Sequence, residues 1–418
     1  QTPIDYQDFH HTNYWPTAPQ TSFAAGADYS ILKEFVSRFS IHDGDGYEYS
    51  YKGVKLSEGK IATTGRDFNG TDNDIILNIY SKNGTLLNSF SDPITGWESG
   101  NDIAVNNDDK IIVVGSSHDK DISKLLMLCF NIDGSLDSSF GESGRIISSI
   151  NGIWDEGVSV QIQEDGKILV AGNTQNGTDK DVFLTRYNSD GSLDTSFGDN
   201  GTVILDAIEN TSEDEENYVT QLEVKGEKIY LSGYNSKEKR NDQVSGSKSF
   251  LIVKLNSDGS FDTSFGGSGW KKTKLEEGRD VVATSIAVQD DNKILVGGFI
   301  EEWVDDMIIL RYLPNGEIDY DFSDKGYVST DQYFQDLKGS TKKIKILQNG
   351  KILILGEVWN GNYSFSNNIS HTSSRNGRWN SVLIALNSDG SLDSSWGYNG
   401  LLIIDSNDDD FGSDLEIL

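Results

Sequence analysis

A chain of 418 residues with 36% apolar and 10% aromatic content can bury a sizeable core, and five prolines against 43 glycines suit many tight turns better than a disordered or collagen-like chain. A formal net charge of −31 repels phosphate backbones and anionic lipid heads, which disfavours nucleic-acid and membrane-surface functions. No apolar run approaches the roughly 18–20 residues of a spanning helix, and the single cysteine, Cys129 in "LLMLCF", excludes an internal disulfide and a cysteine-based metal site.

The chain opens on an arm, "QTPIDYQDFHHTNYWPTAPQ" (1–20), whose Tyr6, Phe9, Tyr14 and Trp15 are expected to pack against the body. Gln1, with no charged-then-apolar leader ahead of it, is read as the mature end of an exported protein. Next, "SFAAGADYSILKEFVSRFSIHDG" (22–44) matches the second and third strands of a unit that recurs downstream, with Arg38 in the place of Arg186, but it lacks a first strand.

From there one β-hairpin is written six times. A lysine, an apolar strand and a glycine five positions on appear as "KIATTG" from Lys60, "KIIVVG" from Lys110, "KILVAG" from Lys167, "KIYLSG" from Lys228, "KILVGG" from Lys293 and "KILILG" from Lys351. Each follows a polar turn and an earlier apolar strand such as "VSVQI". A second marker, an Asp-Gly or Asn-Gly pair, falls at Asp43, Asn83, Asp133, Asp190, Asp258, Asn315 and Asp389; such pairs tolerate the positive φ of hairpin turns. In six of these seven copies an aromatic follows seven residues later (Phe90, Phe140, Phe197, Phe265, Phe322, Trp396), which predicts plugs between neighbouring sheets. The chain ends on "FGSDLEIL" (411–418), which reads as a first strand alone.

Four strands per unit at a period of 50–65 residues predict an all-β chain, a β-propeller of four-stranded blades. The two chain ends complete one blade between them, 21–50 with 411–418, so residues 21–418 form a single seven-bladed domain closed by the C-terminal strand. The phrase "YNSDGSLDTSFGDNG" (187–201), with near copies from 130, 255 and 386, resembles the delta-60 repeat family over nearly the whole chain. The copy at Asn83 departs from it, with Leu87 where the second Asp belongs. The resemblance implies a secreted or surface-located bacterial protein and no particular activity.

The phrase shares part of its spacing with calcium loops, through Asn188, Asp190 and Asp194, but Arg186 then falls on the first ligand position. Asn188 and Asp194 are therefore read as turn caps. Asp405, Asn407 and Asp409 alternate in "DSNDDDFGSD" and are the weak metal candidates; no cofactor is expected otherwise. Glycine and aromatic offsets do not match the Asp box of sialidase propellers.

Length irregularities gather on one face, in 206–219, 234–249, 299–307, 330–342 and 357–380, where a repeat scaffold carries binding. Trp303, Trp359, Tyr363, Phe365, Arg375, Arg378 and Trp379 in these loops suit sugar stacking or a protein partner, and they are the candidate binding residues. No histidine set at metal spacing, G-x-S-x-G, H-E-x-x-H or phosphate loop appears. The leading expectation is therefore a non-catalytic, surface-associated module that binds a protein, as accessory subunit or adhesin, at the outer membrane without spanning it. The alternative is a glycan-binding lectin, or a glycan-active hydrolase or lyase using acidic residues near the axial channel.

Overall fold

The computed structural model describes residues 49–91, 96–176, 179–205, 215–237, 247–275, 278–301, 306–335, 338–360, 363–365, 370–371, 378–397, 399–404 and 414–415. Within them the chain forms six antiparallel four-stranded units in sequence order, blades I to VI, at 49–91, 97–148, 154–204, 215–273, 281–329 and 339–404. Blades II and III are also joined by one parallel pairing, Ser123 with Trp154. A turn of helix, Thr330–Tyr333, leads into a small extra sheet of Phe334–Gln335, Tyr363–Phe365 and Ser370–His371.

The second strand of each blade is central and covered on both faces, so its apolar residues do not alternate with polar ones; Val113, Val114, Leu169 and Val170 are all fully buried. The cores lie between consecutive blades. Leu77 and Ile79 of blade I meet Leu126 and Leu128 of blade II. Met127 meets Val170, Leu184 meets Leu231, Ile252 meets Val296 and Ile309 meets Ile354, carrying the stacking to blade VI. No helix of the described residues is long and apolar enough to cross a membrane.

The repeated phrase is a staple. Its second aspartate pairs with the marker lysine of its own blade: Lys110 with Asp137 at 2.7 Å, Lys167 with Asp194 at 2.8 Å, Lys228 with Asp262 at 2.9 Å, Lys293 with Asp319 at 3.1 Å and Lys351 with Asp393 at 2.5 Å. Blade I, which has Leu87 in place of that aspartate, lacks the staple, and Lys60 turns to Glu58 instead. Arg186, unsuited to a calcium ligand, bonds Asp194 at 2.7 Å and reaches the carbonyl of Ser257 in the next blade's phrase. The capping role falls differently from expectation: Asp190 accepts the Ser192 N–H and Asp194 the Ser196 N–H, whereas the Asn188 amide donates to the Ser192 hydroxyl.

The late aromatics are plugs, with Phe140, Phe197, Phe265 and Phe322 buried and each worth about 1.5–3 kcal/mol. Each lies on the turn glycine of the following blade. A Cβ on Gly191, Gly259, Gly316 or Gly390 would come within 3.0–3.1 Å of the preceding blade's ring, and all four have positive φ. Phe90 differs: it lies within the fourth strand, Leu86–Ser91, half-buried and edge-on to Phe130.

Every first strand carries a β-bulge, and in blades II, IV and V the polar residue after it reaches the next blade. Asp102 accepts the N–H of Val160 (2.8 Å), Gln221 that of Ile286 (3.1 Å) and Ser285 that of Ile344 (3.0 Å). Near the C-terminus, Leu415 is buried against Leu353, Leu355 and Trp396 of blade VI, and Asp414 accepts the N–H of Gly53 in blade I. The arm (1–20) and the expected half-blade up to residue 48 lie outside the described residues.

Candidate functional site

The bulge also presses the first strand against the second. It pushes the carbonyls of Ser99, Glu156, Tyr218 and Val282 to within 1.7–2.1 Å of where a Cβ would stand on Gly115, Gly172, Gly233 and Gly298. Only glycine fits there, which accounts for the marker glycine of blades II to V. The positions that the bulge orients are thus fixed in backbone but free in side chain.

In blades II, III and IV the strand ends ahead of the bulge carry aromatics and carboxylates. Trp97 opens the first strand of blade II (Trp97–Val105) and is 55% exposed; Trp154 opens that of blade III (Trp154–Ile162) and is half-buried. Trp154 is held by its neighbours: Ser123 donates its hydroxyl to the Asp155 carbonyl, and the buried Asp155 carboxylate takes the Thr174 hydroxyl at 2.6 Å. Two residues on, Glu156 accepts the Asn101 amide at 3.0 Å, and that same amide also donates to the carbonyl of Gly157. Burial raises the Glu156 carboxyl above the usual range against the pull of Asn101 and of the nearby Lys180 charge.

Lys180, on the third strand of blade III, places its ammonium 4.8 Å from the Trp154 ring and 5.1 Å from that of Tyr218 in blade IV. The Tyr218 hydroxyl donates to Glu216, and its ring stacks on Tyr234 at 4.6 Å and 15°. Lys248 continues the row, 5.8 Å over Tyr234 and paired with Glu301. His118, opposite Trp97 in register, bonds Ser116, and burial lowers its pKa. A carboxyl whose pKa is raised by burial, a second carboxylate and open aromatic faces can together seat a sugar and move a proton.

The residues singled out from sequence fall elsewhere, on blade VI. Trp359 is 40% exposed and lies opposite Trp379, while Arg378 lies opposite Asn360. Tyr363 pairs in backbone with His371, and Phe365 with Phe334. Register therefore brings Trp359, Arg378 and Trp379 to one strand end and puts Tyr363 and Phe365 on the extra sheet. Trp303, Arg375, Asp405, Asn407 and Asp409 lie outside the described residues. Among the described residues no three His, Cys, Asp or Glu side chains gather closely enough to hold a metal. Trp97 and Trp154 fall outside the expected loops because they open strands rather than fill long loops. The available signal was that Trp97 and Trp154 stand 57 residues apart, as do Lys110 and Lys167.

Fold and site together define a β-propeller repeat protein with an aromatic and acidic mouth. Four segments, 107–140, 163–197, 240–265 and 289–322, match the family described as "Domain of unknown function (DUF5122) beta-propeller", and each ends on a plug aromatic. No curated protein matches the chain in sequence. Among solved structures, it is similar to the polysaccharide lyase Uly1 (11% identity, 93% of this chain and 95% of that one, TM-score 0.45). It is also similar to the GH93 α-L-arabinofuranosidase of Fusarium graminearum (8%, 80% and 90%, 0.45) and to the GH43 endo-arabinanase of Bacillus licheniformis (14%, 64% and 94%, 0.36). At these identities the likeness is one of fold. The expectation of a non-catalytic protein-binding module is corrected to this extent: the solved structures named here are glycan-processing enzymes, and none is a protein-docking module.

Proposed function

We propose that this protein is an exported, glycan-active enzyme that binds a polysaccharide across the mouth of blades II to IV and cleaves it by acid–base chemistry. The observation that carries the reading is Glu156, a carboxyl raised by burial and oriented by Asn101, one blade away from the Glu216–Tyr218 pair and beside Trp154. Trp97 and Trp154 supply flat apolar faces for sugar rings. Protonated Glu156 gives its proton to the glycosidic oxygen as the C1–O bond breaks. The Glu216 carboxylate takes a proton from the water whose oxygen adds to C1, and solvent returns that proton to Glu156. Glycoside and water become two shorter sugars.

The ring that holds this mouth is, in the same proposal, seven-bladed, with residues 411–418 supplying the first strand of a blade begun at 21–50. The bond from Gly53 to Asp414 and the burial of Leu415 on blade VI support that closure. The test is a polysaccharide panel scored for new reducing ends and for binding. Cleavage by the wild type that Glu156→Gln abolishes while binding persists supports the enzyme. Binding with no cleavage of any substrate would reduce the function to a lectin's, and neither activity would overturn the reading.

A further inference from the structure

We infer that the sugar held at this mouth is anionic, its carboxylate or sulfate group seated on Lys180 between Trp154 and Tyr218. The inference rests on the glycan reading above and goes beyond it by naming the substrate class.

Four other lysines on this side of the blades are neutralised by carboxylates. Lys248 pairs with Glu301 at 2.7 Å, Lys272 with Glu215 at 2.5 Å, Lys338 with Asp306 at 2.6 Å and Lys342 with Glu357 at 2.9 Å. Lys180 makes no ion pair among the described residues, in a chain with 66 acidic side chains to 35 basic ones. The nearby carboxylate, Glu156, accepts its hydrogen bond from the Asn101 amide. Two ring faces strip water from the ammonium on two sides and supply only a weak quadrupole in exchange, so its remaining side favours an anion. Those same rings offer stacking surfaces to the sugar that carries the anion. One residue therefore sets charge preference while its flanking aromatics set position, and a neutral sugar would leave the partly desolvated cation unmatched.

The experiment measures binding of the full chain to polygalacturonate, to chondroitin sulfate and to neutral arabinan, by affinity electrophoresis at 50 and 300 mM NaCl, with Lys180→Met and Lys180→Arg beside the wild type. The wild type is expected to hold at least one anionic polymer about tenfold tighter than arabinan at low salt and to lose that margin at high salt. Lys180→Met should bring the ratio near one, and Lys180→Arg should keep most of it. Polygalacturonate and chondroitin sulfate separate a carboxylate preference from a sulfate preference. An unchanged ratio in a folded Lys180→Met overturns the inference, as does a wild type that prefers arabinan, and in both cases the glycan reading survives. A wild type that binds none of the three, nor any polymer of the wider panel, fails both.

Discussion

The backbone N–H of Gly53 donates to Asp414 Oδ2 at 3.2 Å, joining residues 361 positions apart. The offset is that of the bonds between consecutive blades, where Asp102, Gln221 and Ser285 each accept the amide that follows the next blade's post-bulge residue. Lys343 lies 3.8 Å from Asp414. Burial works to raise the Asp414 pKa, but the charges of Lys343 and Lys52 hold it below the usual range. Removing that carboxylate strands two enclosed cations, so Asp414→Ala is expected to cost about 2–4 kcal/mol, and Asp414→Asn less. Calorimetry of both variants checks this; an unchanged Tm for Asp414→Ala would show that the C-terminal contact adds nothing to stability.

The staple makes a comparison between blades. In blade III, Asp194→Asn leaves Lys167 and Arg186 without their anion and is expected to destabilise by about 2–3 kcal/mol in urea titration. In blade I, Leu87→Asp supplies the missing partner for Lys60 and should cost little or raise the midpoint, since Leu87 is already 53% exposed. If both changes move the midpoint equally, the staple contributes nothing specific.

Acid should loosen the same bonds. The hydrogen bond from Lys110 leads those that hold the Asp137 carboxyl down to about 2, and Asp194, Asp262, Asp319 and Asp393 are likewise depressed. A folded pKa below the unfolded value of about 3.9 gives stability that is present above it and lost as pH falls toward 2. Asp137 alone contributes on the order of 1–2 kcal/mol. Urea midpoints should hold from pH 7 to about 5 and drop steeply between 4 and 2.5.

Glu156 runs the opposite way. Its folded pKa is raised, so the stability of the protonated form is complete below the unfolded value near 4.3 and is lost as pH rises through the folded one. Glu156→Gln should therefore raise Tm at pH 7 and leave it unchanged near pH 4, while removing cleavage at every pH. In the wild type, cleavage should decline as pH rises through the Glu156 pKa. A cleavage rate in Glu156→Gln within tenfold of wild type would remove this residue from the chemistry.

Cys129 is 2% exposed, and burial pushes its thiol up to about 12. A thiol-specific disulfide reagent should leave the native protein unlabelled at pH 8 and react with one equivalent on unfolding. The labelling rate then reports the opening of blade II.

Much of this architecture was legible because its determinants recur. A lysine, an aspartate and an aromatic at fixed offsets were visible as a phrase, and they prove to be the two ends of the staple and the plug above the next turn. Even the departure at Leu87 had meaning, as the blade without a staple. The bulges were not legible, because the bulged positions hold Tyr51, Asn101, Val158, Thr220, Thr284 and Lys342, which share no chemistry. The mouth was missed for a related reason. Trp97, Trp154 and Glu216 begin strands, and their partners Lys180 and Tyr218 become neighbours only once blades III and IV stack.

The plugs give the stack of blades a polarity like that of overlapping roof tiles. Each ring overhangs the following turn, Phe140 on Gly191, Phe197 on Gly259, Phe265 on Gly316 and Phe322 on Gly390. Cutting the chain between two blades is therefore not symmetric. The fragment on the N-terminal side of the cut is left with an uncovered aromatic and becomes adhesive. The fragment on the C-terminal side keeps its own aromatic and uncovers its turn glycine, and both fragments expose their half of the core between the blades. Of the two new faces, the N-terminal one carries the extra ring.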